Sequence, residues 1–325
     1  MIDDAITLFV QEEFFGWRIL MMTDDQEDPK QSENQGDASK PEPPKRSPSK
    51  TPMYTAMRAL RYHRQMLIRD LEVKTNRKLL SYVSGITAQV GRDDIAGFVD
   101  MLFNVNQGEP IDLLLHTPGG DIDAAEKLIT LLRASVGEVG SLRVVVPDFA
   151  KSAGTLITLG ANSIVMSDSS ELGPIDPQIW LKDGSGNDIC HSVLNYIDAF
   201  NEHARQLRDH PDDPVSRMMM EKFDPTVLRK FENVRNRART FAENQLKRRG
   251  ANFSFIASEL MDTNKYPSHG QMIGWEVARD IGLNVEYLPP SDATWKLYWE
   301  LYCLLRLAVT DDQKIFESGY ASLVI

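Results

Sequence analysis

Cysteine is scarce in this chain. Two residues, Cys190 and Cys303, occur in 325, too few for a disulfide framework and too isolated for a zinc site. A reducing compartment therefore fits, and the cytoplasm is the expected location. The six histidines do not cluster with Cys, Asp or Glu at ligand spacing, so no metal centre is expected. No glycine-rich fingerprint follows a strand and no phosphate-binding loop is present, so neither a nicotinamide nor any other cofactor is expected. Positive charge is also short. The 36 Lys and Arg stand against 47 Asp and Glu for a net charge of −11, which argues against nucleic-acid binding through the overall field.

Long apolar runs are missing as well. The most apolar stretches, 153–167 and 295–310, are too short or carry Gly, Lys296, Glu300 and Arg306, whereas a membrane span needs roughly 20 uninterrupted apolar residues. The apolar head MIDDAITLFVQEEFFGWRILMM begins with Asp3 and Asp4 and is broken by Glu12, Glu13 and Arg18, unlike a signal peptide. After it, residues 24–52 contain six prolines and no Val, Ile, Leu, Phe, Trp, Tyr or Met. Such a segment cannot bury enough apolar surface to offset its ordering entropy. The expected division is a head (1–22), a disordered tether (23–53), a folded domain (54–290), and an amphipathic helix with a C-terminal tail (291–325).

What the chain does contain is alternation. Met57, Leu60, Met66, Leu67 and Leu71 have helical spacing, and KLLSYVS (78–84) reads as a strand. A helix over 93–105 leads to IDLLLH (111–116), a continuous apolar run suited to a strand buried on both faces. A Pro-Gly-Gly turn and a helix over 122–132 follow. The cycle repeats with LRVVVP (142–147), a helix over 152–159 and NSIVMS (162–167). Strands alternating with helices imply a parallel sheet in an α/β fold. Beyond it, 227–245 is an amphipathic helix with a basic stripe, suited to surface or intersubunit ion pairs. A helix over 271–281 stopped by Gly282 precedes the strand-like NVEYL (284–288).

In open parallel sheets ligands bind beyond the carboxyl ends of the strands. Two corners there stand out: His116-Thr117-Pro118-Gly119-Gly120-Asp121 after LLLH, and Ala150-Lys151-Ser152-Ala153-Gly154 after RVVVPDF. Consecutive glycines let the backbone turn sharply and expose its N–H groups. Ser152 falls at a helix start, where free N–H groups and the dipole favour developing negative charge. A nucleophilic hydroxyl fits there, with the Gly119 and Ala153 N–H groups to hold an oxyanion. A plain N-cap serine and a plain tight turn fit each corner taken alone.

Taken together, LLLHTPGGDIDAAEKL and VVPDFAKSAGTLITLGANSIVMSDSSELGPIDPQ resemble the Clp-fold serine peptidases. The resemblance is to the serine dehydrogenase proteinases, relatives of signal peptide peptidase A and the Clp protease proteolytic subunit. It extends over roughly 56–290, including YPSHGQMIGWEVARDIGLNVEYL, and is most specific over 111–178. It implies a Clp/crotonase-like fold of stacked strand-strand-helix units with a largely parallel sheet and a helical C-terminal part, usually assembled as a homo-oligomer. It also implies a peptide or protein substrate, Ser152 as nucleophile, and Gly119, Gly120 and Ala153 as oxyanion-hole backbone.

The resemblance leaves the base open. Asp176 stands where the Clp subunit carries its histidine. The signal peptide peptidase branch uses a later lysine, for which this chain offers Lys182 or Lys222; a lysine serves as base only if burial depresses its pKa. His116 at a strand end and His269 in a turn read most simply as packing and turn residues, whereas His191 and His203 would have to fold back over Ser152. Lys151 is adjacent to Ser152, and sequence neighbours rarely point at one spot. Two other functions remain: a non-catalytic oligomeric scaffold of the same fold, and an acyl-CoA enzyme of crotonase type using Asp176 or Glu171.

Overall fold

The computed structural model describes residues 50–182, 185–247 and 252–325; the apolar head and nearly all of the tether lie outside them. The first helices are α1 (Pro52–Met57), capped by the Thr51 hydroxyl, and α2 (Ala59–Thr75). Helix α1 thus begins within the last residues of the stretch read as tether. Alternation then sets in with β1 (Lys78–Ser84), α3 (Asp94–Leu102), β2 (Ile111–His116), α4 (Ile122–Val136) and β3 (Leu142–Val145). Next come β4 (Phe149–Ala150), α5 (Ala153–Leu159), β5 (Ser163–Met166) and β6 (Glu171–Leu172). A hairpin of β7 (Gln178–Lys182) and β8 (Asp188–Ser192) opens a helical stretch: α6 (Val193–Asp209), α7 (Pro214–Met220), α8 (Pro225–Leu246) and α9 (Phe253–Leu260). The chain closes with α10 (Trp275–Asp280), β9 (Val285–Tyr287), α11 (Ala293–Arg306), β10 (Lys314–Glu317) and β11 (Ser322–Val324).

Seven strands form the main sheet in the order β11-β10-β1-β2-β3-β5-β9. From β1 to β9 all neighbours are parallel, which is the α/β class expected. The difference lies at the C-terminus, where the segment read as a tail supplies β10 and β11, antiparallel to β1 and to each other. These strands are short, and polar residues interrupt them, so period-two alternation is too brief to detect. The β7–β8 hairpin is another difference, with a similar reason: the half-exposed strands flank LKDGSGND, whose composition is that of a loop.

The continuous apolar runs are explained by burial on both faces. In β2, Leu113 and Leu115 enter one core with α4, α5 and α8, whereas Leu114 enters a second core with Leu67 and Ile68 of α2 and Leu301 of α11. Successive strand side chains point to opposite faces, so both must be apolar when helices cover both.

The second core also encloses a charge. Asp112 of β2 is 1% exposed. It accepts from Arg77 Nε, from Arg143 at 2.7 and 2.9 Å, and from the Tyr298 hydroxyl at 2.6 Å. Arg143 continues to Glu286 of β9 at 2.9 Å, so one carboxylate ties β2, β3, β9 and α11 together. Burial, with the Asp112 charge beside it, pushes the Tyr298 hydroxyl well above its ordinary pKa. Asp112→Ala removes the buried carboxylate that two guanidinium groups share, leaving Arg143 with Glu286 and Arg77 with neutral acceptors. It is expected to cost about 3–5 kcal/mol, read from the midpoint of urea unfolding.

Candidate active site

The two corners singled out in the sequence meet at the carboxyl ends of β2 and β3. Residue 117 is laced to the second corner by Thr117 N–H to Phe149 O at 3.1 Å and Lys151 N–H to Thr117 O at 3.0 Å. Gly154 packs so closely that a Cβ there would stand 2.6 Å from Thr117 Cγ2. The glycine turn is pinned on its other side by the loop before α3: Val90 N–H donates to Gly119 O at 2.7 Å, and Val90 O accepts from Asp121 N–H at 2.9 Å.

Both glycines are required by geometry. Gly119 has φ +105°, and a Cβ on it would lie 2.8 Å from Ser152 Cβ and 3.3 Å from Ala153 N. Gly120 has φ +147°, and its Cβ position is blocked by the Val90 backbone at 2.4 Å. Gly119, Ser152 and Ala153 therefore share one small space. The Gly119 N–H points to Thr117 Oγ1 at 3.2 Å, a long neutral bond that an anionic acceptor would displace. Ala153 opens α5, so its N–H has no intrahelical acceptor.

Ser152 is not a plain cap. Its side chain makes no capping hydrogen bond, and its backbone sits at φ 51°, ψ −114°, a combination a residue with a Cβ rarely adopts. Such strain persists only where the surroundings impose it. Here they do: Ser152 lies between the strand laced to Thr117 and a helix whose residues are all buried.

The other candidates are scattered. Lys182 lies on the β7–β8 hairpin, its side chain 69% exposed and ion-paired to Asp188 at 3.0 Å. The burial that would turn a lysine into a base is missing there. Lys222 is exposed after α7. The Lys151 ammonium turns from Ser152 to Glu171, 3.1 Å away, and to the carbonyls of Leu172, Gly270 and Gln271. His191 is on β8 opposite Ile179, and His203 lies 3.4 Å from Ser216 Oγ. Asp176 is buried and accepts the Ser192 hydroxyl at 2.8 Å. His269 lies 3.7 Å from it, a pairing that nearly a hundred residues of intervening chain conceal in the sequence. The basic stripe of α8 makes ion pairs: Arg237 with Asp123 and Glu126 of α4, Arg239 with Glu243 and Arg229 with Glu232.

His116 is buried on the α11 side of the sheet, its ring 4.0 Å from that of Phe149 and 5.1 Å from that of Tyr302. Burial, aided by the Arg306 charge, lowers its pKa from 6.5 to about 3, consistent with Nδ1 accepting from Phe149 N–H at 3.5 Å. It is a packing residue, neutral when folded.

Among the described residues no group of His, Cys, Asp and Glu could hold a metal ion, and no helix is long and apolar enough to cross a membrane.

The domain is thus an α/β sheet, parallel from β1 to β9, with a strained serine between a glycine turn and a helix start. Residues 51–195 match the family model of the ClpP-like SDH-type serine proteinases. An uncharacterised protein of Methanocaldococcus jannaschii is 30% identical over 204 residues, covering 61% of this chain and 58% of the relative. The chain thus spans less than two thirds of that relative's length. A second uncharacterised protein of the same organism is 41% identical over 70 residues, 22% of this chain and 23% of the relative. Among solved structures, the 1510-N membrane-bound stomatin-specific protease is similar with a TM-score of 0.41 at 17% identity, over 67% of this chain and 81% of that one. The same protease in complex with a substrate peptide gives a TM-score of 0.34 at 16% identity, over 70% and 98% of the chains.

Two outcomes follow from this geometry. Ser152→Gly, which relieves the positive φ, should stabilise the fold by roughly 1 kcal/mol in urea unfolding, whereas Ser152→Ala, which keeps the Cβ, should not. The second concerns His116. The unfolded chain takes up a proton at this residue below 6.5 while the folded chain resists until about 3. Its contribution is therefore complete above 6.5 and is lost as pH falls toward 3. The urea midpoint should drop across that window, and less steeply in His116→Gln.

Proposed function

We propose that the protein is a serine peptidase in which Ser152 Oγ attacks a peptide carbonyl and forms an acyl-enzyme that water hydrolyses. The Gly119 and Ala153 N–H groups stabilise the tetrahedral oxyanion, and Gly120 fixes the turn that presents the first of them. The observation that carries this reading is the conformation of Ser152: strained, free of any capping bond and within a Cβ's breadth of Gly119. A serine serving only the helix would cap it with extended backbone, as Ser192 does for α6. Preorganised backbone donors of this kind are worth roughly 10²–10³ in rate each, because they need no reorientation as charge develops.

The acyl-CoA alternative finds less support. It needs a carboxylate free to face an acyl group, whereas Glu171 is paired with Lys151 and Asp176 with Ser192. The scaffold alternative offers no reason for strain at Ser152. The test is covalent labelling of the full chain by a fluorophosphonate probe, with peptide hydrolysis followed in parallel. Labelling is expected in the native protein and absent in Ser152→Ala; a folded native protein that stays unlabelled would remove the peptidase reading.

A further inference from the structure

Lys182 and Lys222 are exposed and the Lys151 ammonium is paired with Glu171, but a pair of ionisable side chains lies on segments bonded to the residues that flank Ser152. Asp176 lies just beyond Gly173, whose N–H donates to the Thr155 hydroxyl of α5 at 3.1 Å. Its Oδ1 is taken by the Ser192 hydroxyl, and its Oδ2 lies 3.7 Å from His269 Nδ1. That nitrogen is buried and has no hydrogen-bond partner. The His269 side chain as a whole is 28% exposed, so the open part of the ring lies away from Asp176. A buried nitrogen left without a partner is unfavourable, and a small movement toward the facing carboxylate would satisfy it.

The turn that carries His269 is anchored on the neighbour of the serine. The Lys151 ammonium reaches the carbonyls of Gly270 at 3.3 Å and Gln271 at 3.4 Å. Two further bonds, Ile273 N–H to Leu172 O at 3.0 Å and Leu172 N–H to Ile273 O at 2.9 Å, hold the same segment on β6. Lys151 thus braces the segment that follows His269 against the residue preceding Ser152, which accounts for its charge turning away from Ser152.

We propose that His269 is the general base for Ser152 and that Asp176 is its positioning residue; this rests on the reading of Ser152 as nucleophile. Asp176 Oδ2 accepts the Nδ1 proton, leaving Nε2 basic. As the Ser152 Oγ–carbonyl bond forms, the hydroxyl proton passes to Nε2 and the carbonyl electron pair moves onto the oxyanion. On collapse the C–N bond breaks, and the proton on Nε2 goes to the leaving amine. Water then attacks the ester, gives its proton to Nε2, and that proton returns to Ser152 Oγ as the acid departs. No hydrogen bond joins Ser152 to His269 among the described residues; such contacts commonly tighten only as the reacting carbonyl is bound.

The test is the rate of fluorophosphonate labelling in the full chain, with folding checked by urea unfolding. His269→Ala should label about 10²–10⁴-fold more slowly than the native protein, with part of the rate restored by imidazole in solution. Asp176→Asn should slow labelling and displace its pH profile, a change that loss of packing alone does not produce. If His269→Ala fails to fold, His269→Gln takes its place in the comparison. Native-rate labelling in a folded His269 variant, with Ser152→Ala silent, overturns the assignment and leaves the nucleophile standing. So does labelling that survives in His269→Ala and vanishes in Lys182→Ala. Absence of labelling in the folded native protein removes the nucleophile as well.

Discussion

Two backbone hydrogen bonds, Thr117 N–H to Phe149 O and Lys151 N–H to Thr117 O, hold the candidate site together. They fasten the glycine turn after β2 to the serine turn after β3. Because the bonds are between main-chain atoms, the distance between the turns does not depend on any side-chain rotamer. The close approach they impose is what excludes a Cβ at residues 119 and 154, and it leaves Ser152 with no relaxed conformation to adopt. Strain at the serine and the exclusion of side chains from the glycines are two results of one constraint.

The sheet supplies the rigidity this arrangement needs. Asp112, enclosed by two arginines and a tyrosine, ties β2 and β3 together near their amino ends, opposite the end that carries the serine turn. A buried carboxylate is tolerated only when its acceptor capacity is fully used, and here every partner comes from a different element. His116 follows the opposite rule. It sits among aromatic rings near the carboxyl end, and its environment keeps it neutral, so the end of the sheet that carries the serine turn gains no buried positive charge.

Much of the fold was legible in the sequence. KLLSYVS and IDLLLH are strands over the residues read as such, because short apolar runs flanked by turn residues suit strands that helices cover on both faces. The helix expected over 271–281 is confined to α10, since its first residues are used to pair with β6 and to build the turn around His269. The C-terminal strands were hidden because they borrow their order from β1 rather than from a pattern of their own.

At the site, the local chemistry was written in the chain: glycine where φ is positive, serine where a strand gives way to a helix. A tight turn after a strand and a helix start both favour particular residues locally, so residue order reveals the two corners, although not that they meet. What only the tertiary structure decided is which distant charges meet. Lys182, close to the serine in sequence, is carried off on an exposed hairpin, while His269, far along the chain, is drawn to Asp176 by a turn braced on Lys151. Sequence separation says nothing about that pairing, because it is set by how β6 captures residue 273 and by where one long ammonium group finds its carbonyls.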